Sequence, residues 1–335
     1  MKAMLLERFG NEYAFVQREV EKPSPMPGQV LIRVAGSSFN PIDNKIATLG
    51  DQLGFAPTLP AVLGMDVSGV VEDVGGGMSR FEPGDKVFGL AGGLSNMPGA
   101  LAEYMVADER LIARAPRSMD LTDAAALPLV SLTAWIALFG KARLEADETL
   151  LVHGGAGGVG HIAVQLGVYS GAKVYATVSD SVKEMVVENL GATPINYREK
   201  SVYEYVSDHT FGDGFDVVFD TVGGATLDQS FRAAIPEGDV VTTVARSSHD
   251  LSTMHAKGLS LHVVFVLLPL ITREGRGIFH EILNQVARLV DKDRLAVLLD
   301  EQRFDYTDIA EVHRYWEGGN ALGKIVIDVP GEKTF

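Results

Sequence analysis

The chain has 335 residues, 46% of them hydrophobic, more than one compact core holds comfortably, so two domains are the expectation. Its formal charge of −15 repels polyanions, which excludes nucleic acid and an anionic membrane surface as partners. The absence of cysteine excludes disulfides, thiolate catalysis, iron–sulfur clusters and any zinc site built on sulfur ligands.

In chain order, the opening MKAMLLERFGNEYAF turns charged after a short apolar stretch and lacks the core and cleavage site of a signal peptide. Up to about Ala115, short Val/Ile-rich segments such as QVLIRVAGSSFN, DVSGVVEDVG and PGDKVFGL alternate with glycine and proline turns, the texture of a β-rich domain. From about Leu121, strands alternate with helices, the pattern of a parallel sheet covered on both faces. The candidate strands are TLLVHG, AKVYATVS, TPINY, FDVVFDTV, GDVVTTV and SLHVVFV, with amphipathic segments such as SVKEMVVENLG between them. With right-handed crossovers they predict a doubly wound sheet. The most hydrophobic run, LSLHVVFVLLPLI from Leu259, contains His262 and Pro269 and is too short to span a bilayer. It reads as a buried strand running into a loop or helix, in a soluble, cytoplasmic protein. Beyond it, GIFHEILNQVARLVDKDRL has helical spacing, and GKIVIDV from Gly323 is a late strand expected to return to the N-terminal β-domain.

Between the strand TLLVHG and the helix HIAVQLGVYSG, the residues Gly155, Ala156, Gly157, Gly158, Val159 and Gly160 carry a G-x-G-x-x-G pattern on Gly155, Gly157 and Gly160. The first glycine permits a tight turn, the second admits a pyrophosphate to the backbone, and the third lets helix and strand pack closely. The helix N-terminus adds free amides and a positive dipole end. In a chain with 36 glycines the pattern alone also fits a flexible loop, but its strand–helix context assigns it to a dinucleotide.

The end of the next strand chooses the dinucleotide. NAD enzymes place a carboxylate there for the ribose 2′-hydroxyl, whereas this chain has Val178, followed by Ser179 and Lys183, a hydroxyl and a cation suited to a 2′-phosphate. NADP(H) is the expected cofactor. Asp180 conflicts with it unless that carboxylate faces solvent or caps the helix.

At this point the sequence resembles the medium-chain dehydrogenase/reductases, and within them the zinc-free NADPH:quinone oxidoreductases and ζ-crystallins. The likeness rests on PGQVLIRVAGSSFNPID, PAVLGMDVSGVVEDVG, FEPGDKVFG, AALPLVSLTAW, the glycine loop, DTVGG and GKIVI, and covers essentially the whole chain. It implies an α/β protein with a GroES-like β-barrel catalytic domain, residues 1–123 and 268–335, and a six-stranded Rossmann domain, residues 124–267, with the nicotinamide in a cleft. It further implies Asn40 and Thr133 beside the nicotinamide as catalytic residues, and Tyr197, Thr221, Val222 and Lys324 as additional cofactor contacts. Asn40 before Pro41 also fits a turn, Thr133 a cap of TAWIALFGKA, and Asp43 a support of the Asn40 loop.

Departures from the family shape the expected chemistry. Asn40 stands where zinc alcohol dehydrogenases have a cysteine, and Met65 where they have the histidine of G-H-E. His153 and His161 read as loop and helix residues rather than ligands, so no metal is expected and alcohol oxidation loses its Lewis acid. The expected reaction is NADPH-dependent hydride transfer to a quinone or a carbonyl-conjugated alkene. The tyrosine that relatives often carry after N-P-x-D is absent, Lys45 and Asp51 occupying that neighbourhood, so protonation falls to solvent or another group. The alternatives are a crystallin-type NADPH-binding protein without turnover and, last, a zinc alcohol dehydrogenase. A homodimer joined through the SLHVVFV edge is expected.

Overall fold

The computed structural model describes residues 1–319 and 321–329. The chain divides into two compact units: Met1–Leu129 with Leu267–Asp293 and the segment from residue 297 onward, and Val130–Val266 with 294–296. The tail of the sequence-derived catalytic domain, 330–335, lies outside the described residues.

The first unit is antiparallel. Strands Lys2–Arg8 (β1), Ala14–Glu19 (β2), Gln29–Ser38 (β3), Ala61–Val62 (β4), Asp66–Val74 (β5), Lys86–Leu90 (β6), Tyr104–Asp108 (β7) and Ile112–Arg114 (β8) are joined by turns and by one helix, Pro41–Leu49 (α1). β3 is its spine: ten residues long and almost wholly buried, it pairs with β5 along one edge and with β7 along part of the other. Burial on both faces explains why QVLIRVAGSS has no polar alternation.

The second unit is parallel. Helix Pro128–Trp135 (α2) leads through a wider, π-helical turn over Ile136–Lys141 into strand Thr149–His153 (β9). Strands Lys173–Val178 (β10), Thr193–Asn196 (β11), Phe215–Asp220 (β12), Ala234–Thr242 (β13) and Ser260–Val263 (β14) follow. Helices Gly160–Ser170 (α3), Ser181–Asn189 (α4), Val202–Thr210 (α5), Ala225–Ala233 (α6) and Ser252–Lys257 (α7) connect them. The sheet order β11-β10-β9-β12-β13-β14, all parallel, is the doubly wound order that the sequence predicts, and it reverses direction between β9 and β12. Two details differ from expectation. Thr133 lies inside α2 and so caps nothing, because the helix already starts at Pro128, whose fixed φ suits a first turn. The SLHVVFV strand takes the edge position expected of it but is not buried: it ends at Val263, which is 47% exposed, and Phe265 beyond it is 44% exposed.

The chain returns to the first unit with helices Leu268–Thr272 (α8) and Gly277–Val290 (α9), strand Phe304–Asp305 (β15), helix Ile309–Glu317 (α10) and strand Val326–Asp328 (β16). α9 buries Phe279, Ile282, Leu283 and Val286, the i, i+3, i+4, i+7 stripe of an amphipathic helix. β16 pairs antiparallel with the last residues of β3, Val326 opposite Ser38 and Asp328 opposite Gly36. The late strand thus closes onto the N-terminal domain, and this pairing delivers Lys324 to the end of β3. The stretch Asp123–Lys141 is long and apolar enough to cross a membrane by composition, but 72% of it is buried in the protein, as in a core helix.

Candidate active site

In the second unit, the sheet's reversal point carries the glycine loop. His153 ends β9, and Gly154 turns the chain at φ +75°. A Cβ on Gly155 would stand 2.4 Å from Ala176 Cβ, and one on Gly160 2.1 Å from Gly154 O, so both glycines are dictated by packing. Gly157 is different: it is exposed, and a Cβ there would meet only Gly154 O, at 3.2 Å. The space beside it is open, and α3 begins immediately afterwards with no side-chain cap on its amides. Ala156 is buried beneath this loop, while Gly158 and Val159 are half-buried on its rim.

The neighbouring strand ends complete the surroundings. Thr221 Oγ1 donates to His153 O at 2.6 Å, tying the loop after β12 to the end of β9, and Val222 beside it is 53% exposed. The Asp220 carboxylate holds this turn by accepting from Val222 N and Gly223 N. His153 is a strand-end residue rather than a loop residue, and burial pushes its imidazole down to about 4. His161 sits in α3, with Nδ1 2.9 Å from Gly157 O.

At the end of β10, Lys183 Nζ donates to Ser179 Oγ and to Asp180 Oδ2, each at 2.9 Å. Asp180 also caps α4 by accepting from Lys183 N, one of the two roles the sequence allowed it, while its Oδ2 accepts from both Ser179 Oγ and Lys183 Nζ. Its hydrogen bond from the Lys183 ammonium, with those from Ser179 and the Lys183 backbone, holds this exposed carboxyl below the usual carboxylate range. Tyr197 N donates to Val178 O, which brings the half-exposed Tyr197 to the same strand end. Ser179, Lys183 and Tyr197 therefore form one group. Thr133 is buried within α2.

In the first unit, Asn40 ends the β3 segment and precedes Pro41 at the first turn of α1. Asp43 Oδ2 accepts from Asn40 N at 2.9 Å, the supporting role expected of it. The Asn40 side chain is held at both ends: Nδ2 donates to Asp66 Oδ2 at 2.8 Å, and Oδ1 accepts from Lys324 Nζ at 2.6 Å. Lys324 also donates to Phe39 O at 2.8 Å and lies 3.6 Å from Asp66 Oδ2. Asp66 accepts further from Ser38 Oγ and from Leu129 N. All of this is buried. Burial pushes the Asp66 carboxyl up against the pull of Lys324, and pushes the Lys324 ammonium down against that of Asp66 and Asp43. Asp43, buried and close to Asp66, is pushed up to about 7. Lys324, expected at the cofactor, donates to Asn40 and Phe39. Asp66 went unmarked in the sequence; its signal is an acid opening the buried strand DVSGVV.

With this geometry in view, comparison with known proteins places the chain. Residues 26–117 match the alcohol dehydrogenase GroES-like domain, and residues 190–327 match the domain described as a zinc-binding dehydrogenase. An alcohol dehydrogenase superfamily protein from Novosphingobium aromaticivorans is 38% identical, with a TM-score of 0.94 over 98% of this chain and all of that one. Quinone oxidoreductase from Rattus norvegicus is 30% identical over 82% of each chain. The Escherichia coli quinone oxidoreductase solved with NADPH is 25% identical, with a TM-score of 0.86 over 98% of this chain and all of that one. The chain belongs to the medium-chain dehydrogenase/reductase superfamily, in its quinone oxidoreductase branch.

That family raises the question of zinc, and the residues do not fit it. Asn40 offers an amide already shared between Asp66 and Lys324, and Met65 is a buried thioether. An ammonium 2.6 Å from Asn40 Oδ1 fills the ground that a divalent cation would need and repels it. Among the described residues no group of three His, Asp or Glu side chains is arranged to hold a metal.

Asp43 yields a test of the buried cluster. Its folded value of about 7 lies above its ordinary 3.8, so at intermediate pH the folded protein keeps a proton the unfolded chain has lost. Its stabilising contribution is complete below the unfolded value and disappears as the pH rises toward 7. Asp43→Asn has no such titration, so its denaturation midpoint should decline less steeply than wild type between about pH 4 and 7. Equal slopes in the two proteins would contradict the buried, proton-holding carboxyl.

Proposed function

We propose that this protein is a cytoplasmic, homodimeric, NADPH-dependent reductase that delivers hydride to a quinone or to an alkene conjugated with a carbonyl, without a metal. The observation that carries the reading is the buried Asn40–Asp66–Lys324 cluster, at a residue where the resemblance places a metal ligand in zinc enzymes, in a chain that keeps an open dinucleotide loop. The exposed edge strand β14, with Val263 and Phe265 beyond the sheet, supports the dimer.

The second unit fits the cofactor. The open backbone at Gly157 and the uncapped start of α3 suit a pyrophosphate, with Gly155, Ala156, Gly158, Val159 and Gly160 forming the loop. Ser179, Lys183 and Tyr197 suit an adenosine 2′-phosphate, which would take over the Lys183 hydrogens now given to Ser179 and Asp180. Thr221 and Val222 border the same sheet reversal. When bound, the nicotinamide supplies a hydride. Asn40 then contributes the Nδ2 hydrogen that its own unit uses least, a 3.5 Å contact to Ser38 O, to hold the ring amide or the acceptor oxygen. Lys324 and Asp66 fix which way that amide faces. Thr133 would contribute its hydroxyl from the second unit, where it is buried within α2. A quinone gains the hydride and a proton to become a hydroquinone; an enone gains the hydride at its β-carbon and a solvent proton at its α-carbon.

The cofactor assignment predicts that NADPH binds more tightly than NADH by about 1.5–3 kcal/mol, the scale of charge-assisted hydrogen bonds. Lys183→Ala should weaken NADPH while sparing NADH in a fluorescence titration, and Gly157→Val should lose both cofactors in a folded protein. Equal affinities for the two cofactors would remove the 2′-phosphate role.

The reaction is tested by a panel of small quinones, enones and simple alcohols assayed with the nicotinamide cofactors after exhaustive chelation. Quinones or enones should turn over and alcohols should not. Asn40→Ala and Thr133→Val should lower kcat more than they weaken NADPH, as expected of groups that act on the reacting complex. Activity that disappears on chelation and returns with zinc would refute the metal-free reading, and inertness toward every acceptor would leave an NADPH-binding protein without turnover.

A further inference from the structure

Helix α10 buries Ile309, Val312 and His313 on one face. The His313 ring packs against Tyr13, Phe15 and Phe39 at centroid distances of 5.1, 5.3 and 5.0 Å, so it has little freedom to turn. Its tautomer is fixed from the other side. Asn44 Nδ2 donates to Glu317 Oε1 at 2.7 Å and lies 3.2 Å from His313 Nδ1. An amide nitrogen only donates, so Nδ1 accepts and the ring proton resides on Nε2.

That Nε2–H is buried and has no acceptor among the described residues. Asp43 Oδ1 is buried and has no donor. Both residues line one small cavity, in which about 10 Å³ is open to the centre of a water molecule, close to the space a single water requires. Ser38, also in the lining, already donates its hydroxyl hydrogen to Asp66 Oδ2 and keeps a lone pair with which to accept. Leu63, Leu101, Ile309 and Ile327 make most of the remaining wall apolar. Leaving a donor and an acceptor unpaired in such a place is costly, and one water satisfies both.

We propose that a single water occupies this cavity, accepting from His313 Nε2–H and donating to Asp43 Oδ1, and that His313 thereby acts as a positioning residue for Asn40. The second oxygen of Asp43 holds Asn40 N at 2.9 Å, so tethering Oδ1 fixes the carboxyl plane, the first turn of α1 and the backbone from which the Asn40 amide projects. A water suits either state of Asp43. It donates to the carboxylate and can accept from the acid, whereas direct contact would set the acid's hydrogen against that of Nε2. The effect on turnover rests on the reductase reading above; the water and its effect on Asn40 do not.

The test combines crystal structures of wild type, His313→Leu and His313→Gln with NADPH-dependent turnover of a small quinone. Wild type should show a water within hydrogen-bond distance of His313 Nε2, Asp43 Oδ1 and Ser38 Oγ. His313→Leu should lose it and displace Asn40, whereas the glutamine amide, which can donate from near the Nε2 position, should retain both. In turnover, His313→Leu should reduce kcat about tenfold with the KM for NADPH within about twofold, and His313→Gln should recover most of the loss. A cavity without water, or Asn40 unmoved in His313→Leu, overturns the proposal, as does wild-type kcat in that variant. If wild type reduces no acceptor, the reductase reading fails alone, and the crystal structures still decide the water. Should His313→Leu not fold, the wild-type structure and the glutamine variant carry the same decision.

Discussion

The first unit depends on one buried ammonium. Lys324 has lost its hydration and is compensated by Asn40 Oδ1, Phe39 O and the nearby Asp66 carboxylate. Removing one partner from such a group typically costs about 3–5 kcal/mol, because a charge is then left alone in the interior. The cost dictates much of the local architecture. The chain has to bring β16 back beside β3, since that pairing carries Lys324 to the end of the strand. Ser38, Asn40 and Leu129 have to surround Asp66. The Asn40 amide has one orientation that satisfies both charges, with oxygen toward the lysine and nitrogen toward the aspartate.

The same cluster supports the proposal of a reaction without a metal. A zinc site supplies a fixed divalent charge that polarises an oxygen; here the cationic group is a lysine that donates to Asn40 and Phe39, its ammonium disfavoured by burial. In the proposed reaction the protein contributes orientation and hydrogen bonding, which suffice when the acceptor is already electron-poor. The dinucleotide features of the second unit have an equally local origin: Gly155 and Gly160 are forced by contact, and Gly157 keeps an open face at the start of α3.

The parallel sheet was legible because its strands are short, apolar and separated by amphipathic helices, and the glycine loop because it lies between β9 and α3. Ser179, Lys183 and Tyr197 were each visible, and the strand ends of β10 and β11 bring them together. The return of GKIVIDV to the N-terminal domain was legible, but the side-chain pairings it creates were not. Nothing near Asp66 in sequence announces Lys324, and nothing in IAEVHRYWE distinguishes His313 as a polar group on a buried face. The edge position of β14 was expected, but its exposure was not legible, because an apolar run has the same composition whether neighbours flank it on both sides or on one. Thr133 was read as a possible cap because a threonine before an apolar run resembles one, but Pro128 had already started the helix.

Isotope transfer tests most directly the proposed passage of hydride to carbon without a metal, beside an Asn40 oriented by Lys324. NADPH deuterated at the transferred position is incubated with metal-stripped protein and a small enone, and the product is read by NMR. Deuterium at the β-carbon, with the α-hydrogen drawn from solvent, is the expected result. Deuterium absent from the β-carbon, or incorporated only after zinc is restored, would contradict it.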